Sequence, residues 1–405
     1  MKIIIIPDSF KGTLTSLEVC NTIENALKGH EVTSIPVADG GEGTLDAFSH
    51  AKAGTPFSKA EIVSAPSKDA WGNDMDAPYL LAGKLAVIEM AKVAGFTRDN
   101  KSDEGNDSLV MSGTTYGVGM LINDAISRGA RKIVLGLGGN CTNDGGCGMA
   151  AAMGVKFLDE TGKSFIPAGG TLSQIALVDN TAAISVLAED ASLFHSKIDI
   201  VGMCDVNNPL LGSKGAASVF APQKGASPRE VDILESGLEN LVSQISDGVV
   251  NRTVSGFDAA PTLSGGWAEK LADLPGSGAA GGMGYGLRAL LAGRLESGID
   301  LLLDEIDFEE LLFDADLVIT GEGNFDFQSL RGKAVSGICR RAKAADVPVI
   351  LVAGSIRADA DQLKQLGVIR SFETGELDFD QPIEEIKKAA FANLEKTAHE
   401  LADFL

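Results

Sequence analysis

The chain has 405 residues, with 34 Lys and Arg against 56 Asp and Glu and a formal net charge of −22. That acidity argues against a nucleic-acid or anionic-membrane partner, which needs a cationic face, and 44% hydrophobic content excludes wholesale disorder. The length suffices for two or three domains with real cores. Five cysteines without a C-x-x-C fit neither a zinc ribbon nor a disulfide framework. No stretch approaches the ~18 apolar residues of a membrane span, and the apolar run 3–6 is shorter than a signal-peptide core, so a cytoplasmic protein is expected.

Residues 3–6 are a β-branched run suited to a strand buried on both faces of a parallel sheet. Thr15 and Glu18 then form a capping box with Leu14 and Val19 at the staple positions. Val19, Ile23 and Leu27 share one helical stripe, and Gly29 is a natural stop. A strand at 32–37 leads into Asp39-Gly40-Gly41-Glu42-Gly43 and a short helix. From about 56 to 90 the pattern changes to short strands with Pro, Gly and Asn-Asp turns, a candidate domain boundary; a second lies near 250–275. Further strands are expected at 132–137, 198–204, 316–320 and 347–352, with helices at 283–292, up to about Lys343, and at 382–403. This alternation indicates α/β architecture with largely parallel sheets.

In open α/β sheets, ligands bind beyond the carboxyl ends of the strands, and the glycine-rich polar clusters fall in such loops. Six windows (7–12, 39–43, 136–148, 205–225, 276–286 and 320–333) hold 22 of the 48 glycines. In the first, Lys11 suits a carboxylate or phosphate, and Asp8 a metal or a proton; equally, this is an N-terminal turn with a solvated lysine. The second sets two carboxylates among three glycines, a poor choice for a mere turn. The third can cradle an anion with its backbone and with Asn140, Thr142 and Asn143. Cys141 and Cys147 have no nearby His to activate them. Asp205 is a candidate base or metal ligand, or a turn cap. Glu322 and Asp326 are hard oxygen ligands suited to Mg²⁺, with Arg331 and Lys333 downstream as phosphate contacts.

Residues 276–281 match G-x-G-x-x-G, with Asp300 at about the right distance for a dinucleotide site. That fingerprint needs a preceding strand, whereas Trp267 to Leu274 reads as helix or loop. A NAD(P)-dependent hydroxy-acid dehydrogenase using this loop is the alternative function. There is no G-x-x-x-x-G-K-[ST] and no protein-kinase motif set, and the four His occupy helix, linker or surface contexts. An inventory of carboxylates, a few cations and backbone amides suits phosphoryl transfer.

Pro7 to Gly12, Pro36 to Thr44, Gly136 to Met149, Cys204 to Leu210, Val219 to Gly225, Gly276 to Gly286 and Thr320 to Lys333 resemble, in order, the signature segments of the bacterial two-domain (class I) glycerate kinases. One departure is Gly138-Gly139-Asn140-Cys141-Thr142 in place of Gly-Gly-Ser-Ala-Thr; Asn140 keeps a polar side chain but not the hydroxyl. The resemblance implies ATP- and Mg²⁺-dependent phosphorylation of D-glycerate, at the 2-hydroxyl rather than the 3-hydroxyl. It also implies a flavodoxin-like doubly wound parallel sheet domain from residues 1–58 and 290–405. A second α/β domain, 59–289, would be inserted, with the active site in the cleft. Lys11 would neutralise the glycerate carboxylate or a transferring phosphate, and Asp205 or Asp39 would orient or deprotonate the acceptor hydroxyl. Asp8, Ser9, Lys11 and Asn207 would contact substrate, and Gly138, Gly139, Asn140, Thr142, Gly278, Gly281, Gly282 and Lys333 the nucleotide phosphates. Glu322 and Asp326 would hold Mg²⁺. A small-molecule substrate is expected, with no nucleic-acid or membrane partner, in a monomer or homodimer.

Overall fold

A computed structural model describes the chain except residues 11, 39, 42, 51–55, 96–107, 188–197, 248–265 and 327–333. Two compact units emerge from the packing: Met1–Asp39, Asp46–Ala60 and Gly298–Leu405 form the first, Gly40–Leu45 and Glu61–Ser297 the second. Both are α/β.

The first unit holds a five-stranded, all-parallel sheet in the spatial order Glu31–Ser34, Lys2–Ile5, Leu317–Phe325, Val349–Ile356, Val368–Glu373. Numbered along the unit this is 2-1-3-4-5, the flavodoxin-like doubly wound order. Ile3 and Ile5 join Leu317, Ile319, Ile350 and Val352 in a core closed by Val19 and Ile23 of helix Ser16–Ala26 and by Leu394, Ala398 and Leu401 of helix Ile383–Phe404. Ile4 and Ile6, of opposite parity, are also buried. Both faces of the strand are therefore covered, as its unbroken apolar run requires. The expected capping box is present. Glu18 N–H donates to Thr15 Oγ1 (3.2 Å) and Thr15 N–H to Glu18 Oε2 (2.7 Å).

One expected loop is a strand. Thr320 to Phe325 continue the ladder begun at Leu317, with Gly321 opposite Val352 and Phe325 opposite Ile356. The glycines that suggested a loop serve strand packing: a Cβ at Gly321 would lie 1.8 Å from Val352 O, and one at Gly354 2.3 Å from Gly323 O.

The second unit is built on a six-stranded mixed sheet, ordered Arg294–Glu296, Asp199–Met203, Lys132–Gly136, Leu85–Glu89, Asp74–Ala82, Glu61–Lys68. The first four strands are parallel; the last two pair antiparallel, consistent with the change of pattern after residue 56. A small antiparallel sheet has Lys156–Leu158 between Ser164–Phe165 and Leu177–Asp179. Among the described residues, no helix is long and apolar enough to cross a membrane.

Candidate active site

In the first unit, strand order reverses between Lys2–Ile5 and Leu317–Phe325, the switch point at which doubly wound sheets bind ligands. The backbone past the first strand stays against its neighbour: Ile6 N–H donates to Ile319 O and Asp8 N–H to Gly321 O, both 2.8 Å. Asp8 and Glu322 are thereby brought together at the carboxyl ends of adjacent strands. Helix Ser16–Ala26 fixes the same edge, because Ser16 Oγ donates to Pro7 O (2.7 Å) and accepts from Val37 N–H (2.8 Å). Asp8 Oδ1 also accepts from Ser9 N–H (2.6 Å). Glu322 is 7% exposed. Beyond it, Asn324 donates from Nδ2 to Asp326 Oδ2 (3.2 Å), and its Oδ1 accepts from Ser355 Oγ (2.6 Å). Lys11, Asp39 and Lys333 lie outside the described residues.

The second unit gathers its polar residues at the same end of its own parallel strands. Gly138 N–H donates to Gly40 O (2.8 Å), and a Cβ on Gly138 would lie 2.5 Å from Gly41 Cα. This interlock explains why Gly40–Leu45 packs with the second unit. Glu89, at a strand end and 1% exposed, accepts Leu45 N–H on Oε2 (3.1 Å).

Asp144 organises the loop after Lys132–Gly136. Fully buried, it accepts from Thr115 N–H (2.7 Å), Thr115 Oγ1 (2.8 Å) and Gly148 N–H (3.1 Å) on Oδ2, and from Gly146 N–H (3.0 Å) on Oδ1. Burial pushes its carboxyl above the usual range, opposed by these bonds. Beside it sits Lys224, 6% exposed, whose Nζ donates to Asn140 Oδ1 and Thr142 O, both at 2.6 Å. Desolvation lowers the Lys224 pKa to about 8, against the attraction of Asp144. Burial pushes Cys141 up to about 11 and Cys147 well above the thiol range. Both stay protonated thiols, so neither is a nucleophile.

The glycines of 276–286 pack against that loop. A Cβ on Gly281 would meet Thr142 O at 2.2 Å, and one on Gly286 would meet Gly145 O at 2.1 Å. Gly145 N–H donates to Gly281 O (3.0 Å) and Gly278 N–H to Asn208 O (3.0 Å). Gly281 and Gly282 have φ of +67° and +88°, open to glycine at no steric penalty; regular helix begins after them, near the expected 283. Asp205 and Asn207 are exposed just past strand Asp199–Met203, and Gly139 is exposed at φ +69°.

The family model described as the glycerate kinase family matches residues 3–405. The chain belongs to the glycerate kinase family. It is 38% identical to a glycerate kinase of Bacillus subtilis (strain 168), covering 99% of this chain and 97% of that one. It is 37% identical to the glycerate 2-kinase of Escherichia coli (strain K12), with the same coverages. The crystal structure of a glycerate kinase 2 candidate from Salmonella typhimurium LT2 superposes with a TM-score of 0.79 at 34% identity, covering 100% of this chain and 98% of that one.

Membership in a family of phosphotransferases sets aside the dehydrogenase alternative, and the structure supplies the physical reason. Helix Trp267–Ala272, not a strand, precedes Gly276, and the small residues of 276–286 are spent on backbone packing. For a glycerate kinase the donor set fits Mg²⁺, which is held through one or two carboxylates with phosphate and water completing its shell. Glu322 and Asp326 are carboxylates of that kind, but they stand four residues apart on and just past an extended strand, so one ion would join them only through water or phosphate; no group of three His, Cys, Asp or Glu able to cage a metal occurs among the described residues. The sequence reading missed Glu89 and gave Asp144 and Lys224 no roles. Asp144 and Lys224 lay inside segments it had marked, but their burial depends on packing that spacing does not encode. The one available signal is a lysine followed by small residues, Gln223-Lys224-Gly225-Ala226.

Proposed function

We propose that this chain transfers the γ-phosphate of ATP to the 2-hydroxyl of D-glycerate. The reading is carried by the two acidic residues, Asp8 and Glu322, meeting at the switch point of a parallel sheet, in a chain 37% identical over its length to a glycerate 2-kinase. The acceptor hydroxyl loses its proton to Asp205 or Asp39, its oxygen bonds to the γ-phosphorus, and the bond to the β–γ bridging oxygen breaks to release ADP. With a loose transition state, the protein's work is placement and charge balance.

Lys11 neutralises the carboxylate or the transferring group, while Asp8, Ser9 and Asn207 orient glycerate. Gly138, Gly139, Asn140, Thr142 and Lys333 border the nucleotide phosphates, whereas Gly278, Gly281 and Gly282 are taken up by backbone packing. Glu322 and Asp326 would hold Mg²⁺, which would supply neutralisation of phosphate charge. The reaction belongs to cytoplasmic organic-acid metabolism. Coupled ADP release tests the reading, with D-glycerate compared against L-glycerate, tartronate and simple sugars. D-glycerate is expected to be turned over best, and no turnover of any hydroxy acid would overturn it.

A further inference from the structure

We propose that the buried ammonium of Lys224 is an oxyanion-binding group of the second unit, taking either a nucleotide phosphate or the carboxylate of the hydroxy acid. This inference rests on the kinase reading above, which supplies both anions.

Lys224 follows helix Ala216–Phe220 in the short helical turn Pro222–Lys224, and is 6% exposed. A buried ammonium is strongly disfavoured unless an anion compensates it. Its two hydrogen-bond acceptors, Asn140 Oδ1 and Thr142 O, are neutral. The carboxylate that acts on it electrostatically, Asp144, directs its oxygens to Thr115, Gly146 and Gly148. No ion pair to Lys224 occurs among the described residues, and the third ammonium proton has no acceptor there. Among the described residues this cation therefore lacks a contacting anion.

A second observation points the same way. Thr142 Oγ1 and both amide atoms of Asn143 are buried with no hydrogen-bond partner among the described residues. Native proteins rarely leave three such atoms in two consecutive residues without a bound molecule to satisfy them. They adjoin the carbonyl that Lys224 holds, at the carboxyl end of strand Lys132–Gly136, where α/β sheets bind ligands. Neutral donors around one cation form an oxyanion cradle. Asn140 contributes as a positioning residue: its side chain carries the oxygen that Lys224 Nζ meets.

The alternative is a strut that merely ties the loop together. Lys224→Gln separates the two roles, because its amide keeps a donor for Asn140 or Thr142 while removing the charge; Lys224→Met removes both. The affinities of wild type and both variants for ADP and for D-glycerate are measured separately by calorimetry, together with the thermal midpoint without ligand. The expected result is a loss of about 10- to 100-fold in affinity for one of the two ligands in both variants. Their unliganded midpoint should be no lower than wild type, since an uncompensated charge has left the interior. Loss confined to ADP assigns the oxyanion to the nucleotide, and loss confined to glycerate assigns it to the hydroxy acid. Wild-type affinity for both ligands in both variants overturns the proposal. If wild type itself binds neither ligand, the kinase reading fails first, and that outcome is distinct from unchanged binding in the variants.

Discussion

Under the proposed reaction, Asp39 and Asp205 are the two candidates to accept the proton from the glycerate hydroxyl. Proton transfer by a placed side chain contributes about 10²–10⁴ in rate. Asp→Asn at the true base should therefore lower kcat by about that factor, leaving KM for ATP nearly unchanged. The same substitution at the other aspartate should retain most of kcat. Steady-state kinetics on the two variants decides, and full kcat in both would remove a carboxylate base from the account.

Another carboxylate speaks to stability instead. Glu230 accepts from Ser227 N–H and Ser227 Oγ, both 2.6 Å, and from Ser108 N–H, joining the start of helix Pro228–Asp247 to a distant segment. Burial opposes its ionisation, yet these bonds prevail and lower its pKa from 4.5 to about 2. Because the folded-state value is depressed, the stabilisation is complete above the ordinary value and is lost as pH falls towards about 2. Urea midpoints should show Glu230→Gln less stable than wild type at neutral pH, with the gap narrowing by about pH 3. A gap independent of pH would contradict this.

At the scale of elements, the glycine surplus acts mainly through packing. Helix Ala279–Leu291 approaches the 145–146 turn so closely that Gly286→Ala would set a methyl 2.1 Å from Gly145 O. Relief requires the two loops to separate, at roughly 3 kcal/mol, and activity should fall with stability. Gly29→Ala is the control: nothing lies within 4 Å of its Cβ, and φ is +112°. It should lose about 1–2 kcal/mol from backbone strain with catalysis intact. Thermal melts and turnover on both variants check the contrast.

The same packing explains what local sequence could and could not reveal. Thr15 with Glu18 and the run 3–6 were legible because a cap and a two-sided strand depend on near neighbours. Thr320 to Phe325 misled because glycines that permit strands to approach closely look the same in sequence as glycines of a loop. Lys224 was opaque for a related reason. Its burial depends on Asn140 and Thr142, more than 80 residues away, and no periodicity carries that information.

Across the whole molecule, the first unit takes strands from both chain ends: Ile3 pairs with Leu317 and Ile5 with Ile319. Spacing rules see each strand separately, so the 2-1-3-4-5 order, and with it the switch point beside Asp8 and Glu322, emerged from pairing. The net charge of −22 argues against a nucleic-acid partner. In the six glycine-rich windows, five Lys and Arg stand against seven Asp and Glu, so the acidity belongs mostly to the rest of the chain.

The central claim, phosphorylation of the glycerate 2-hydroxyl, is tested most directly by proton-coupled phosphorus NMR of the product formed from ATP, Mg²⁺ and D-glycerate. The account predicts a new phosphomonoester signal split into a doublet by the single proton on carbon 2. A triplet, from the two protons of carbon 3, or no new ester at all, would contradict it.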